Sequence, residues 1–375
     1  MAGIYIHIPF CKKKCNYCNF FSVASLKHKN AFLESLKIEI ETQRDYLKNE
    51  LINTIYFGGG TPSLLSVSEI SVIIEQLHKF YNIINNPEIT LESNPDDLSK
   101  QKINELKKSS VNRLSIGIQS FFQEDLNYLD RTHDTDQAEN ALKYLQDSGF
   151  ENLTIDLIYG IPTSTNKMWE QNLEKFFSFR IPHLSAYSLT VERKTILHHQ
   201  IKKQKLSQPD ENKSIEQYKI LLDRSKNYNF IHYEISNFAK KGYFSKHNTN
   251  YWLGKNYLGF GPSAHSFNGI SRQWNISNIT KYIELINNNN IIFEKEILTK
   301  DQQYNEYVLT ALRTIWGCDT RHIKNNFGEK YLEFFIKSSE KYLAKKMMIK
   351  NENSFVLSED GKLFADGIAA EMFFV

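Results

Sequence analysis

Cysteine is scarce in this chain, with four in 375 residues. That excludes a disulfide framework, which small extracellular scaffolds build from dense cysteine pairs. Charge of one sign is also lacking. Lys and Arg total 46 against 43 Asp and Glu, a net +3, too mild to argue for nucleic acid or an anionic membrane as partner. No apolar run approaches the roughly 18–20 residues that cross a bilayer. The N-terminus is apolar first and basic second, at Lys12, Lys13 and Lys14, the reverse of a secretory signal. The expectation is a cytoplasmic protein with reduced thiols. Hydrophobic residues make up 41% of the chain, enough to bury the core of one large domain or two.

What is present is alternation. Short β-branched or aromatic runs occur at 4–8, 54–57, 89–93, 113–118, 153–159 and 184–189. Longer segments of helical period separate them, at 67–81, 98–108, 134–147, 166–178 and 210–227. Between the first two runs, Leu33, Leu36, Ile40 and Leu47 mark one face of a helix extending over 31–51. Strand–helix units repeated six times imply parallel strands with crossover helices, as a partial (β/α)6 barrel or a doubly wound sheet.

Each run is followed by polar or glycine residues: the cysteines, then GGGTPS at 58–63, ESNPDD at 92–97, QSF at 119–121, YGIP at 159–162 and LTVE at 189–192. Parallel strands bring these ends to one mouth, where barrel sites are built. Glu92, Gln119 and Asp156 beside apolar strands are not accounted for by turn chemistry alone.

The texture changes after about residue 230. Residues 1–235 form the expected barrel. Residues 236–300 form an aromatic and glycine-rich connecting segment, and 301–375 a smaller α+β, winged-helix-like domain ending in a hairpin and a helix. That last stretch holds 10 Lys and Arg against 11 Asp and Glu, which argues against a DNA-reading module.

Three of the four cysteines, Cys11, Cys15 and Cys18, are spaced C-x3-C-x2-C directly after the first strand. Collected thiolates bind metal. Zinc would need a fourth ligand such as His7 or His28. Three thiolates suit a [4Fe–4S] cluster, leaving one iron open to the amino and carboxylate groups of S-adenosylmethionine. Cys318, far along the chain, reads as a core cysteine.

The stretch Y-x-H-I-P-F-C-x3-C-x-Y-C, from Tyr5 to Cys18, resembles the radical-SAM group that contains oxygen-independent coproporphyrinogen III dehydrogenase and the HemW haem chaperones. The similarity continues through GGGTPS, LESNP, RLSIGIQSF, DLIYGIP, YEISNFA, HNTNYW and GFGPSAHSF. The resemblance implies a partial (β/α)6 radical-SAM barrel with a C-terminal accessory domain. It implies S-adenosylmethionine contacts from Tyr5, Tyr17, Gly58, Gly59, Gly60, Thr61, Glu92, Gln119, Arg131, Asp156 and Ala186. The glycines, lacking Cβ, would let backbone amides approach the ligand's amino-acid end.

Two features choose within the group. Phe20 stands where the dehydrogenase has a further cysteine, and the first strand begins without the dehydrogenase's usual N-terminal extension. Both match the chaperone pattern, as does HNTNYW at 247–252. There His247 is expected as a haem ligand, with Tyr251 and Trp252 supplying aromatic area. His265 and His232 compete for the ligand role. The resemblance implies haem as cargo, haem-accepting proteins as partners, and an electron donor such as a flavodoxin or ferredoxin. Radical decarboxylation of coproporphyrinogen propionates is the alternative activity.

Overall fold

Strand and helix alternate from the first residues of the computed structural model, which describes residues 1–290 and 292–375. Six strands run parallel and adjacent: β1 (Ala2–Ile8), β2 (Ile52–Gly59), β3 (Ile83–Ser93), β4 (Arg113–Gln119), β5 (Leu153–Tyr159) and β6 (His183–Ser188). The connecting helices are α1 (Lys29–Thr42), α2 (Val67–Phe80), α3 (Lys100–Lys107), α4 (Gln123–Tyr128), α5 (Thr135–Asp147), α6 (Asn166–Ser178), α7 (Ile196–Lys202) and α8 (Glu211–Asn227). The architecture is the expected partial barrel.

Period-two alternation sets which side chains face the barrel interior. On β1, Ile4, Ile6 and Ile8 are fully buried in the hydrophobic core, while Tyr5 and His7 turn to the other face. Many helix starts are capped by a side chain. Ser66 and Glu69 form a capping box on α2, as do Asp134 and Gln137 on α5.

The first helix is shorter than its periodicity predicts. It stops at Thr42, and Leu47 is buried from a turn in which Lys48 and Asn49 adopt positive φ. The cause is geometric. Fourteen helical residues rise about 21 Å, close to the length of the strands they must span before Ile52 pairs beside Ala2.

Residues 231–300 add strands to both edges of the sheet. β7 (Ile231–Glu234) and β8 (Asn237–Ala239) lie beyond β6. The chain then crosses by α9 (Lys246–Trp252) to the opposite edge. There β9 (Tyr257–Phe260) runs parallel to β1, followed by β10 (His265–Phe267), β11 (Ser271–Asn275), α10 (Ile279–Asn287) and β12 (Phe293–Ile297). Glu39 on α1 fastens this extension. Its buried carboxylate accepts hydrogen bonds from Tyr282 Oη at 2.6 Å, the Gly261 amide at 2.8 Å and Asn275 Nδ2 at 2.6 Å.

The C-terminal part has its own apolar core, which encloses Cys318. It comprises α11 (Lys300–Leu312), β13 (Cys318–Asp319), α12 (Thr320–Asn326), α13 (Glu329–Ala344), β14 (Met348–Lys350), β15 (Ser354–Leu357), α14 (Glu359–Lys362) and α15 (Ala365–Ala370). Its strands form a small antiparallel sheet. Among the described residues, no helix is long and apolar enough to cross a membrane.

Candidate cofactor site and the adjoining cavity

The loop after β1 carries the three thiols at the mouth of the barrel. Lys12 and Lys13 pin it to the rim, and Lys14 braces it internally. Lys12 Nζ reaches Asp97 Oδ1 at 2.5 Å and Asp96 Oδ2 at 2.9 Å, Lys13 pairs with Asp130, and Lys14 donates to the Phe20 carbonyl at 3.1 Å. Cys11, Cys15 and Cys18 are free thiols, each partly exposed. Thr61 Oγ1 donates to Cys11 Sγ at 3.5 Å, and Arg131 Nη1 to Cys15 Sγ at 3.4 Å. Asn94 and the Gly117 carbonyl accept from Arg131 Nη2 at 2.7 and 2.8 Å. Burial disfavours the Arg131 cation, but Tyr17 and Cys15 beside it hold its pKa above the ordinary value. A fixed cation suits thiolates.

The donor set fits a [4Fe–4S] cube. Three thiolates on one loop can each bind one iron of the cube, leaving the fourth iron open. His7, a possible fourth zinc ligand, turns Nε2 to the Phe21 carbonyl at 2.9 Å.

Gly59 has φ +108°, and a Cβ there would lie 2.6 Å from the His7 ring; at Gly60 it would lie 2.6 Å from the Phe10 carbonyl oxygen. The amides of Gly59, Gly60 and Thr61 already donate to Glu92, Ile8 and Phe10. Absence of Cβ at Gly59 and Gly60 lets the loop pack against β1 and the cysteine loop.

Glu92 lies inside the barrel, accepting from Tyr56 Oη at 2.8 Å and Gly59 N at 3.2 Å. Burial pushes its carboxyl up to about 7, opposed by the Tyr56 hydrogen bond and aided by the charge of Asp156. Asp156 accepts from Ser115 Oγ at 3.2 Å, and burial raises it to about 6. Gln119 ends β4 at φ +67°, where the β4–β5 register shifts. Tyr17 packs near Arg131, against a small apolar cluster. Ala186 is buried on β6 opposite Leu157. Tyr5 stacks on Tyr56 with centroids 6.1 Å apart. Sequence reasoning did not single out Asn94, Tyr56 or the anchoring Lys12 and Lys13. Asn94 and the Asp96–Asp97 pair stood in the ESNPDD signal after β3.

The HNTNYW segment is α9, and it lies beneath the barrel. The Nδ1 of His247 meets Thr54 Oγ1 at 2.8 Å, its Nε2 meets Tyr251 Oη at 2.8 Å, and its amide donates to Glu88 Oε1 at 3.0 Å. Thr54 and Glu88 stand before the C-terminal halves of β2 and β3. The imidazole stacks on Tyr56 at 5.0 Å, and burial lowers its pKa to about 3. Both ring nitrogens are thus engaged within the protein: the helix N-terminus is drawn under the sheet, and the imidazole fills the bottom of the barrel. His232 is also engaged, between the Ile235 carbonyl and Lys362 Nζ, both at 3.1 Å.

A cavity of about 820 Å³ opens between the barrel and the C-terminal domain. Tyr5 and His7 form its inner wall, Phe20 and Phe21 the cysteine-loop edge, and Tyr251 and Trp252 part of its side. Its outer walls are β9–β11, bearing His265 and Arg272, and α11–α12, bearing Tyr307 and His322. Phe20 is 64% exposed at this cavity.

The Radical SAM superfamily profile matches residues 5–176. The chain is 34% identical to the protein named heme chaperone HemW of Bacillus subtilis, with 98% of each chain covered. It is 32% identical to a protein of the same name from Lactococcus lactis, covering 95% of this chain and 93% of that one. In fold it is similar to coproporphyrinogen III oxidase (HemN) from Escherichia coli, with a TM-score of 0.86, 21% identity, and coverage of 99% of this chain and 90% of that one. With 34% identity to such a relative over nearly the whole of both chains, the chain belongs to the HemW family of radical SAM proteins.

Proposed function

We propose that this protein is a haem chaperone: it binds haem in the cavity and passes it to haem-accepting proteins, on a scaffold that carries a [4Fe–4S] cluster and S-adenosylmethionine. The carrying observation is that one cavity joins Phe20 and Phe21, beside Cys18, to Tyr251, Trp252 and two histidines on its outer walls. Its volume lies within the roughly 300–1,000 Å³ common for small-molecule sites. The named relatives, called heme chaperones, support the reading. Cys11, Cys15 and Cys18 hold the cluster, and Thr61 and Arg131 orient Cys11 and Cys15. Glu92 accepts hydrogen bonds from ribose hydroxyls, and Asp156 makes a further contact to S-adenosylmethionine. Tyr5, Tyr17, Gly58, Gly59, Gly60, Gln119 and Ala186 shape the S-adenosylmethionine pocket. When bound, the cluster supplies one-electron chemistry, fed by a flavodoxin or ferredoxin. The cytoplasm is the fitting compartment for reduced thiols.

The test is a pair of anaerobic incubations of reconstituted protein under reducing conditions. With haem, a saturable Soret shift is expected, followed by loss of haem to an apo-haemoprotein. With coproporphyrinogen, no protoporphyrinogen is expected. Its formation would overturn the chaperone reading in favour of a dehydrogenase.

A further inference from the structure

We propose that Asn94, directly after β3, is a positioning residue for the cluster: its side-chain amide holds in place the two groups that hydrogen-bond to cysteine sulfurs, and thereby sets the cluster's reduction potential. The proposal rests on the cluster reading above.

Two side-chain donors reach the thiols. Thr61 Oγ1 lies 3.5 Å from Cys11 Sγ, and Arg131 Nη1 lies 3.4 Å from Cys15 Sγ. They come from different loops, one after β2 and one after α4. Asn94 touches both. Its Oδ1 accepts from Arg131 Nη2 at 2.7 Å, and its Nδ2 donates to Thr61 Oγ1 at 3.4 Å.

The direction of each bond is dictated by chemistry. A guanidinium has donors and no acceptor, so Asn94 must turn its carbonyl oxygen to Arg131. That leaves the amide nitrogen facing Thr61. Thr61 Oγ1 accepts from it, and the hydroxyl proton is free to point at Cys11 Sγ. In such a chain each donation polarises the next. The Gly117 carbonyl accepts from the same Nη2 at 2.8 Å. Two acceptors on one nitrogen fix the guanidinium plane, and Nη1 is left for Cys15.

The backbone of Asn94 is fixed from the cysteine loop as well. Its amide donates to Ser63 Oγ at 3.2 Å, Ser63 Oγ donates to Asp97 Oδ2 at 2.7 Å, and Asp97 Oδ1 pairs with Lys12 at 2.5 Å. The bracket therefore closes on the loop at Lys12, Cys11 and Cys15. A residue whose only task was to end β3 would need the backbone bonds alone.

Reduction adds negative charge that is shared by the cluster's sulfurs. A donor aimed at a ligating sulfur stabilises the reduced form more than the oxidised one and raises the potential. Asn94→Asp keeps the shape and reverses this arrangement. A carboxylate only accepts, so Thr61 would turn its proton to the new carboxylate and away from Cys11. The added charge would also offset Arg131.

The experiment is a redox titration of the anaerobically reconstituted full chain without S-adenosylmethionine, followed by electron paramagnetic resonance. The wild type is compared with Asn94→Asp, Asn94→Ala, Thr61→Val and Thr61→Ser, each checked for iron content and thermal transition. Asn94→Asp, Asn94→Ala and Thr61→Val should shift the midpoint to more negative values. At a fixed potential the reduced-to-oxidised ratio should fall about three- to ten-fold, ten-fold being about 59 mV for one electron. Thr61→Ser, which keeps the hydroxyl, should match the wild type. Asn94→Asp should shift the midpoint less in a Thr61→Val background, because the bond to Cys11 is already gone. A wild-type midpoint in the iron-loaded Asn94 variants overturns the proposal, and so does an equal shift in both backgrounds. Loss of iron from both Asn94 variants would assign the residue to building the loop and would also overturn it. Absence of a [4Fe–4S]+ signal in the wild type would overturn the cluster reading itself, a different failure from an unmoved midpoint.

Discussion

Single residues at the barrel mouth do several jobs at once. Gly60 is set by packing: the missing Cβ accommodates the carbonyl oxygens of Phe10 and Ile8, 2.6 and 2.8 Å from where that atom would be. Gly60→Ala should therefore cost about 1–3 kcal/mol through overpacking. It should also lower iron content on reconstitution, because the Phe10 backbone adjoins Cys11. Thermal midpoint and iron analysis check this. Glu39 makes a sharper pH prediction. Burial raises its carboxyl to about 7 despite three donors. Its raised folded pKa means that its contribution is full below its unfolded pKa and is lost as pH rises through about 7. Wild type should thus lose stability relative to Glu39→Gln between about pH 5 and pH 7.5, measured as the difference in urea midpoint. A constant difference across that range would contradict the assignment. The thiol spacing and the glycine run were legible in the sequence because local chemistry demands them. Asn94 and Tyr56 were not, since their importance comes from partners 37 and 36 residues away.

At the scale of elements, the barrel strands and the five major helices between residues 67 and 227 follow the hydrophobic period closely, because each buries one face against the sheet. Helix α1 departs from its pattern where the strand length it must match runs out. The stretch 236–300 has no clean period, since its strands are short and belong to two opposite edges of one sheet. Helix α9 shows the same limit. HNTNYW marks a special segment, yet only the fold reveals that its histidine faces inward beneath the barrel. Tyr251→Phe tests this placement. It removes the hydroxyl partner of His247 Nε2 and leaves a buried nitrogen unsatisfied, so about 1–3 kcal/mol of stability should be lost. Denaturant unfolding measures it. An unchanged midpoint would mean that the imidazole is not sealed in place.

The whole molecule carries a set of buried histidines that should shape its response to acid. Burial first of all lowers His7 and His133 to about 4, and His232 and His247 to about 3. Depressed histidine values mean that the unfolded chain binds more protons, so this stability is present above an unfolded pKa of about 6.5 and lost as pH falls below it. Glu39, Glu92 and Asp156, raised to about 7, 7 and 6, act in the opposite direction. His183, also lowered well below its ordinary value by burial, adds to the first set, and Asp125 and Glu234, raised by burial, to the second; the opposed sets should leave a stability maximum near pH 6–7, roughly where their transitions meet. Urea midpoints from about pH 4.5 to 8 check this; a monotonic rise through the whole range would contradict it. The barrel and the C-terminal module were foreseeable as separate textures in the sequence, but the cavity between them was not, because its walls come from both ends of the chain.

The most direct test of the whole reading is electron paramagnetic resonance on anaerobically reconstituted, reduced protein, with and without S-adenosylmethionine. The expected result is a [4Fe–4S]+ signal that changes shape on adding the ligand, disappears in Cys11→Ala, Cys15→Ala and Cys18→Ala, and persists in Cys318→Ala. Protein that takes up zinc or no metal, or a cluster signal indifferent to S-adenosylmethionine, would contradict it.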